Sequence, residues 1–125
     1  MLLVDAANVV GSRPTGWWRD RPKAASELTD RVRAATGDGR LEQPVVIVLE
    51  GQARRGVEEG TVDGVEVVHA PREGDDTLAA LAAAATEAVT LVTADRGLAA
   101  RARDAGADVV GPNWLYERLA PSDSR

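Results

Sequence analysis

Pro44-Val-Val-Ile-Val-Leu49-Glu50-Gly51 is an unbroken run of β-branched and aliphatic side chains that ends on an acid and a glycine. A strand that is apolar at every position, not at every second one, has both of its faces covered, which is how strands of a parallel sheet between helices read. Four more runs share this character. They are Met1-Leu-Leu-Val4 leading into Asp5, Val65-Glu-Val-Val-His69, Val89-Thr-Leu-Val-Thr93 and Ala107-Asp-Val-Val110. Helical periodicity fills the gaps between most of them. Pro22 opens a helix in which Ala25, Leu28, Val32 and Ala35 recur at helical spacing until Gly37 and Gly39. Thr77 to Ala88 repeats Leu78, Leu81, Ala82 and Ala85, and Arg96 to Ala105 repeats Leu98, Ala99 and Ala102 before Gly106. Trp114, Leu115 and Leu119 after Pro112 suggest a closing helix.

Strands alternating with helices predict a doubly wound, Rossmann-like α/β fold: a parallel sheet of about five strands with helices on both faces. One link lacks a helical pattern. Gln52 to Asp63 carries Arg54, Arg55, Gly56, Glu58, Glu59 and Gly60 and reads as a polar surface loop between the second and third strands. A chain of 125 residues supports one core, so residues 1–120 are expected to form a single domain and residues 121–125 a frayed tail.

Composition removes several chemistries. With no cysteine and a lone histidine, His69, the chain has no thiol nucleophile and no Cys/His metal site, so any ion must be held mainly by oxygen. Apolar runs are too short to span a membrane, and Asp5 interrupts the first one too early for a secretion signal, so a cytoplasmic protein is expected. A net charge of −5 argues against coating nucleic acid through bulk positive charge but leaves room for a local basic strip. Among the fifteen basic residues only Lys23 is a lysine. A nucleotide-binding P-loop, which needs a lysine after its glycines, is absent, and so is the Gly-x-Gly-x-x-Gly of dinucleotide-binding domains. A phosphoacceptor receiver domain would want an acid ending the third strand, where His69 stands, and a haloacid-dehalogenase-type phosphatase would want Asp-x-Asp where the chain has Asp5-Ala-Ala7.

In open α/β sheets, ligands bind outside the carboxyl ends of the strands. The acids fall there. Asp5 closes the first strand, Glu50 the second, Asp95 follows the fourth, and Asp75-Asp76 precede the helix before it. Carboxylates gathered in a low-dielectric crevice repel one another unless a cation neutralises them, and an all-oxygen donor set suits Mg²⁺ or Mn²⁺. Such an ion can polarise a phosphoryl oxygen and lower the pKa of an attacking water, as phosphodiester hydrolysis requires. All of these acids but Asp5 also have a structural reading, Asp75 or Asp76 and Asp95 as helix caps and Glu50 as a turn residue, and Asn8, three residues beyond Asp5, reads equally as a turn former.

Three blocks, Leu-Leu-Val-Asp5-Ala-Ala-Asn8, Glu73-Gly74-Asp75-Asp76-Thr-Leu and Thr90-Leu-Val-Thr93-Ala-Asp95, resemble in order and spacing the motifs of NYN domains within the PIN-like nuclease superfamily. The resemblance spans nearly the whole chain. It implies a PIN-like fold and a metal-dependent endoribonuclease in which Asp5, Asn8, Asp76 and Asp95 are catalytic. Asp5, Asp76, Asp95, Glu50 and Asp75 are then the candidate ligands for one or two ions, and Thr93 is a supporting hydroxyl. The chain departs from the pattern twice. Gly97 stands where many relatives carry a further Asp, and Glu50-Gly51 where they often carry Asp-Gly. These departures motivate an alternative, a catalytically weak PIN-like domain that binds RNA or a protein.

Arg13, Trp17, Trp18, Arg19, Arg21 and Lys23 follow the first block. Arginines pair with phosphates and tryptophans stack on unpaired bases, so this strip is a candidate contact for single-stranded or structured RNA. Trp17 and Trp18 as anchors of a surface loop is the competing reading. A homodimer is compatible with so small a domain, and no stretch identifies an antitoxin-like partner.

Overall fold

The structure, a computed structural model, describes residues 1–120, and the tail 121–125 lies outside the described residues. In chain order the elements are β1 (Leu2–Asp5), α1 (Ala6–Gly11), a 3₁₀ turn (Trp17–Arg19), α2 (Arg21–Gly37), β2 (Val45–Leu49), a 3₁₀ segment (Gly51–Gly56), β3 (Gly60–Val62) and β4 (Val65–His69). They continue with α3 (Gly74–Ala84), β5 (Thr90–Val92), α4 (Arg96–Asp104), β6 (Asp108–Val110) and α5 (Pro112–Leu119). The strands make one sheet in the order β3-β4-β2-β1-β5-β6. All neighbours are parallel except β3, which runs antiparallel to β4.

The five expected strands are present, and a sixth corrects the reading of Gln52–Asp63 as a plain loop. That segment contains the 3₁₀ segment and β3. β3 returns to β4 through Asp63-Gly64, with φ of 53° and 79°. Two left-handed residues in a two-residue connection match the twist of a hairpin, and Asp-Gly is the pair that adopts them most readily. α3 begins at Gly74 and stops at Ala84, four residues short of the expected end, because Ala85 turns to an extended conformation.

Alternation along the strands divides the core. Leu2, Val4, Val45, Ile47, Leu49 and Val92 pack with Ala25, Leu28 and Val32 of α2 and with Leu115 and Leu119 of α5. Leu3, Val46, Val48 and Leu91 point the other way, onto Leu78 and Ala82 of α3 and Leu98 and Ala102 of α4. Both faces of the central strands are therefore dry, as their all-apolar sequences require. α2 starts where Asp20 accepts a hydrogen bond from Lys23 N at 3.0 Å, with Pro22 in its first turn. Among the described residues no helix is long and apolar enough to cross a membrane.

Candidate functional site

From β1 the chain steps outward to β2 and β4, then returns to place β5 on the other side of β1. Strand order reverses at β1, so the crevice forms at its carboxyl end. Strand alternation decides what faces it. Asp5 shares the face of Leu3, and Thr93 that of Leu91; Glu50, still extended at φ −129° and ψ 159°, shares that of Val46 and Val48. Three adjacent strand ends thus deliver Glu50, Asp5 and Thr93 to the side covered by α3 and α4.

Asp5 is the fixed point. It is 5% exposed, its Oδ1 accepts a hydrogen bond from Asn8 N at 3.3 Å, and its Oδ2 accepts one from the Thr93 hydroxyl at 2.9 Å. The same hydroxyl accepts from Asp95 N at 3.1 Å, and Asn8 Oδ1 accepts from Ala94 N at 2.7 Å. Thr93 and Asn8 therefore tie the end of β1 to the loop after β5. Burial pushes the Asp5 carboxyl up to about 6; the bonds from Thr93 and Asn8 lower it, and the negative charges of Asp75 and Glu50 raise it again. Desolvation dominates, as it does for a carboxyl with little solvent to stabilise its charge.

The other acids divide. Glu50 lies against the start of α3: a Cβ on Gly74 would stand 3.1 Å from Glu50 Oε1, so the glycine leaves room for that carboxylate at the positive end of the helix. Asp75, half-buried in the first turn, acts on Asp5 through its charge. Asp76 is one residue further round the helix; its side chain is 84% exposed and accepts a hydrogen bond from Arg101 Nη1 at 3.0 Å. Asp95 caps α4 by accepting from Leu98 N at 3.0 Å, so its capping reading holds whatever else it does. A Cβ at Gly97 would stand 3.4 Å from Asp95 Oδ1, which makes that position a neighbour of the crevice.

Among the described residues no three acidic or histidine side chains close into a cage around an ion. The donor set nevertheless suits one kind of ion. Mg²⁺ keeps several waters and is held by one or two carboxylates together with substrate phosphates, not by an all-protein cage. Asp5, Glu50 and Asp75 supply carboxylates of that type.

The basic strip also divides. Trp17 and Trp18 pack edge to face at 5.9 Å and 88°, with Arg21 over Trp17 at 5.3 Å and Arg19 over Trp18 at 5.7 Å. Trp18 is 49% exposed. Arg13 instead lies 4.1 Å from the centre of the Tyr116 ring on α5, and Lys23 faces Glu27 at 4.0 Å. His69 is structural: Nε2 bonds Val57 O at 2.7 Å, and its backbone N donates to Glu59 at 2.8 Å. Arg54 donates to the carbonyls of Gly51 and Ala70 and so braces the 3₁₀ segment.

No protein-family model and no curated protein matches the chain. Two crystal structures of Rae1 (YacP) from Bacillus subtilis, one of them a single-site mutant, do match it in three dimensions. Their TM-scores are 0.69 and 0.71 at 19% and 20% identity, over 94% and 95% of this chain and 72% of theirs. The chain has a PIN-like α/β fold. At such low identity the fold is what is shared, and the chemistry of this PIN-like chain rests on its own residues. Two features of the site had weak sequence signals. The Asp76–Arg101 pair joins residues on different helices, and a pocket walled by Ala6, Ala7, Trp17 and Gln52 draws on three separate segments.

Proposed function

We propose that this chain is a divalent-metal-dependent ribonuclease that hydrolyses RNA phosphodiester bonds at the crevice around Asp5. The observation that carries the reading is the buried Asp5 carboxylate at the sheet's switch point, clamped by Thr93 and Asn8, with the charges of Asp75 and Glu50 near enough to raise it further. Burying a carboxylate beside two others is costly for the fold, and a cation offsets that cost. The motif resemblance and the fold shared with Rae1 support the same reading.

Asp5, together with Glu50 or Asp75, would hold Mg²⁺ or Mn²⁺ as the one or two carboxylates such an ion takes beside water and phosphate. A bound ion would polarise the scissile phosphate and favour a deprotonated water. The chain's own part is positional. Thr93 and the Asn8 N–H fix both oxygens of Asp5, so its remaining lone pairs keep one direction, and the Asn8 side chain holds the loop bearing Asp95 against β1. The exposed pair Asp76–Arg101 is of the kind worth about 1 kcal/mol or less, so Asp76 can leave it cheaply when an anionic substrate competes for Arg101.

One observation favours the second reading, a catalytically weak module that binds RNA or protein: Asp76, which the motif resemblance makes catalytic, is turned to Arg101. The two readings separate on ion binding. Saturating Mn²⁺ raises the melting temperature of the nuclease by mass action, by an amount set by RT ln(1 + [L]/Kd), and Asp5→Asn removes the rise. No rise in the unsubstituted protein points to the module.

A further inference from the structure

Beside the crevice lies a pocket of about 340 Å³ between α1, the start of α2 and the 3₁₀ segment, lined among others by Ala6, Ala7, Trp17, Arg21, Glu50 and Gln52. We propose that it receives a single unpaired nucleobase of the RNA strand, stacked on Trp17 and read at its edge by Gln52. The inference rests on the nuclease reading, whose site it adjoins, and names a specificity-determining subsite for it.

Position comes first. Ala6 and Ala7 directly follow Asp5 in the chain, where consecutive Cα atoms are 3.8 Å apart, and Glu50 borders both the pocket and the crevice. The pocket lies on the α2 side of the sheet and Asp5 faces the α3–α4 side, so an RNA strand that fills the pocket would cross the end of β1 to present a phosphate at Asp5.

Chemistry selects the occupant. Alanine methyls, Val10 and the indole give apolar walls, which suit the faces of a planar ring more than a sugar or a phosphate. Trp17 is held on one side by Trp18, which packs against it edge to face at 5.9 Å. The planar guanidinium of Arg21 already lies over the Trp17 ring, at 5.3 Å from its centre. A base entering the pocket takes that stacking position, and the displaced cation remains beside the phosphate that enters with it. Gln52, exposed at the rim, carries both a donor and an acceptor, as the edge of a base requires. Trp18 lies outside the lining, so the two adjacent tryptophans have different roles.

The test uses the four ribonucleosides, which carry the base without a phosphate, with ribose as the control, on ¹⁵N-labelled protein in EDTA. The indole N–H of Trp17 shifts saturably with nucleosides and not with ribose, while that of Trp114, near the amino ends of the strands, stays in place. Read by calorimetric titration, Trp17→Ala weakens nucleoside binding roughly tenfold or more, Trp17→Phe restores most of it, and Gln52→Ala narrows the differences among the four bases. A Trp17 signal that ignores all four nucleosides, or follows ribose equally, overturns the pocket. If ion-dependent RNA hydrolysis persists in that case, the nuclease reading survives without it. Saturable, Trp17-dependent binding in a protein that hydrolyses no RNA establishes the pocket and removes the nuclease reading.

Discussion

At the scale of single residues, Asp5 carries the largest electrostatic cost. Its carboxyl is raised from 3.8 to about 6, so the folded chain binds that proton more tightly than the unfolded chain does. The stability this contributes is complete below about pH 3.8 and is lost as pH rises through about 6. Above that range, holding the ionised group costs the fold up to about 3 kcal/mol at 1.36 kcal/mol per pKa unit. Asp5→Asn keeps an oxygen for the Asn8 N–H and carries no charge. In EDTA at pH 7.5 it is therefore expected to unfold at higher denaturant than the unsubstituted protein, with the gap closing between pH 6 and pH 4. A variant equally destabilised at every pH would make Asp5 a structural residue.

The adjacent pair Asp75-Asp76 gives a second residue-scale prediction. Asp75→Asn should weaken Mn²⁺ binding at least tenfold in the absence of RNA, and Asp76→Asn less than threefold, as read by calorimetric titration; the reverse order would assign the ion to Asp76. The motif resemblance made Asp76 catalytic and left Asp75 as a candidate ligand only, whereas the structure turns Asp76 to Arg101 and sets the charge of Asp75 near Asp5. Successive residues on a helix differ by about 100° in direction, so the choice depends on the helix phase. That phase is set by which residues of α3 face the core, and burial of Gly74, Leu78 and Ala82 turns Asp75 partly inward and leaves Asp76 exposed. Asp5 and Asn8 were legible because they stand at or just beyond the end of a run whose apolar character marks it as a strand, while Thr93 came only from the motif resemblance.

At the scale of elements, the 3₁₀ segment is pressed onto the start of α2. A Cβ on Gly56 would lie 2.0 Å from the carbonyl oxygen of Pro22, an overlap that only a backbone shift relieves. Gly56→Ala should cost about 1–3 kcal/mol, the range for overpacking, seen as a lower chemical-denaturation midpoint with an unchanged slope. An unchanged midpoint would show that the segment is not held there. This element and β3 were among the parts of the fold the sequence reading missed. β3 has three residues, all exposed, so it shows no apolar pattern, and only Asp63-Gly64 marked the hairpin. α1 was missed for a related reason: six residues with only Ala6 and Val9 buried are too few to show a period. The long two-faced strands and α2 were legible because burial dictated nearly every residue in them.

At the scale of the whole molecule, a chain of net charge −5 with its most buried carboxylate at the sheet's switch point should repel a polyanion until a cation intervenes. Arg19 and Arg21 on the neighbouring tryptophans place local positive charge on the rim. The fold alone does not decide between a nuclease and a binding module, since one architecture hosts many functions. The most direct test is the initial rate of cleavage of labelled single-stranded and hairpin RNA by the purified chain in EDTA, Mg²⁺ or Mn²⁺, beside Asp5→Asn prepared identically. Cleavage that requires the ion and falls at least a hundredfold in the variant is the predicted result; cleavage that persists in EDTA, or proceeds equally in Asp5→Asn, would contradict the account.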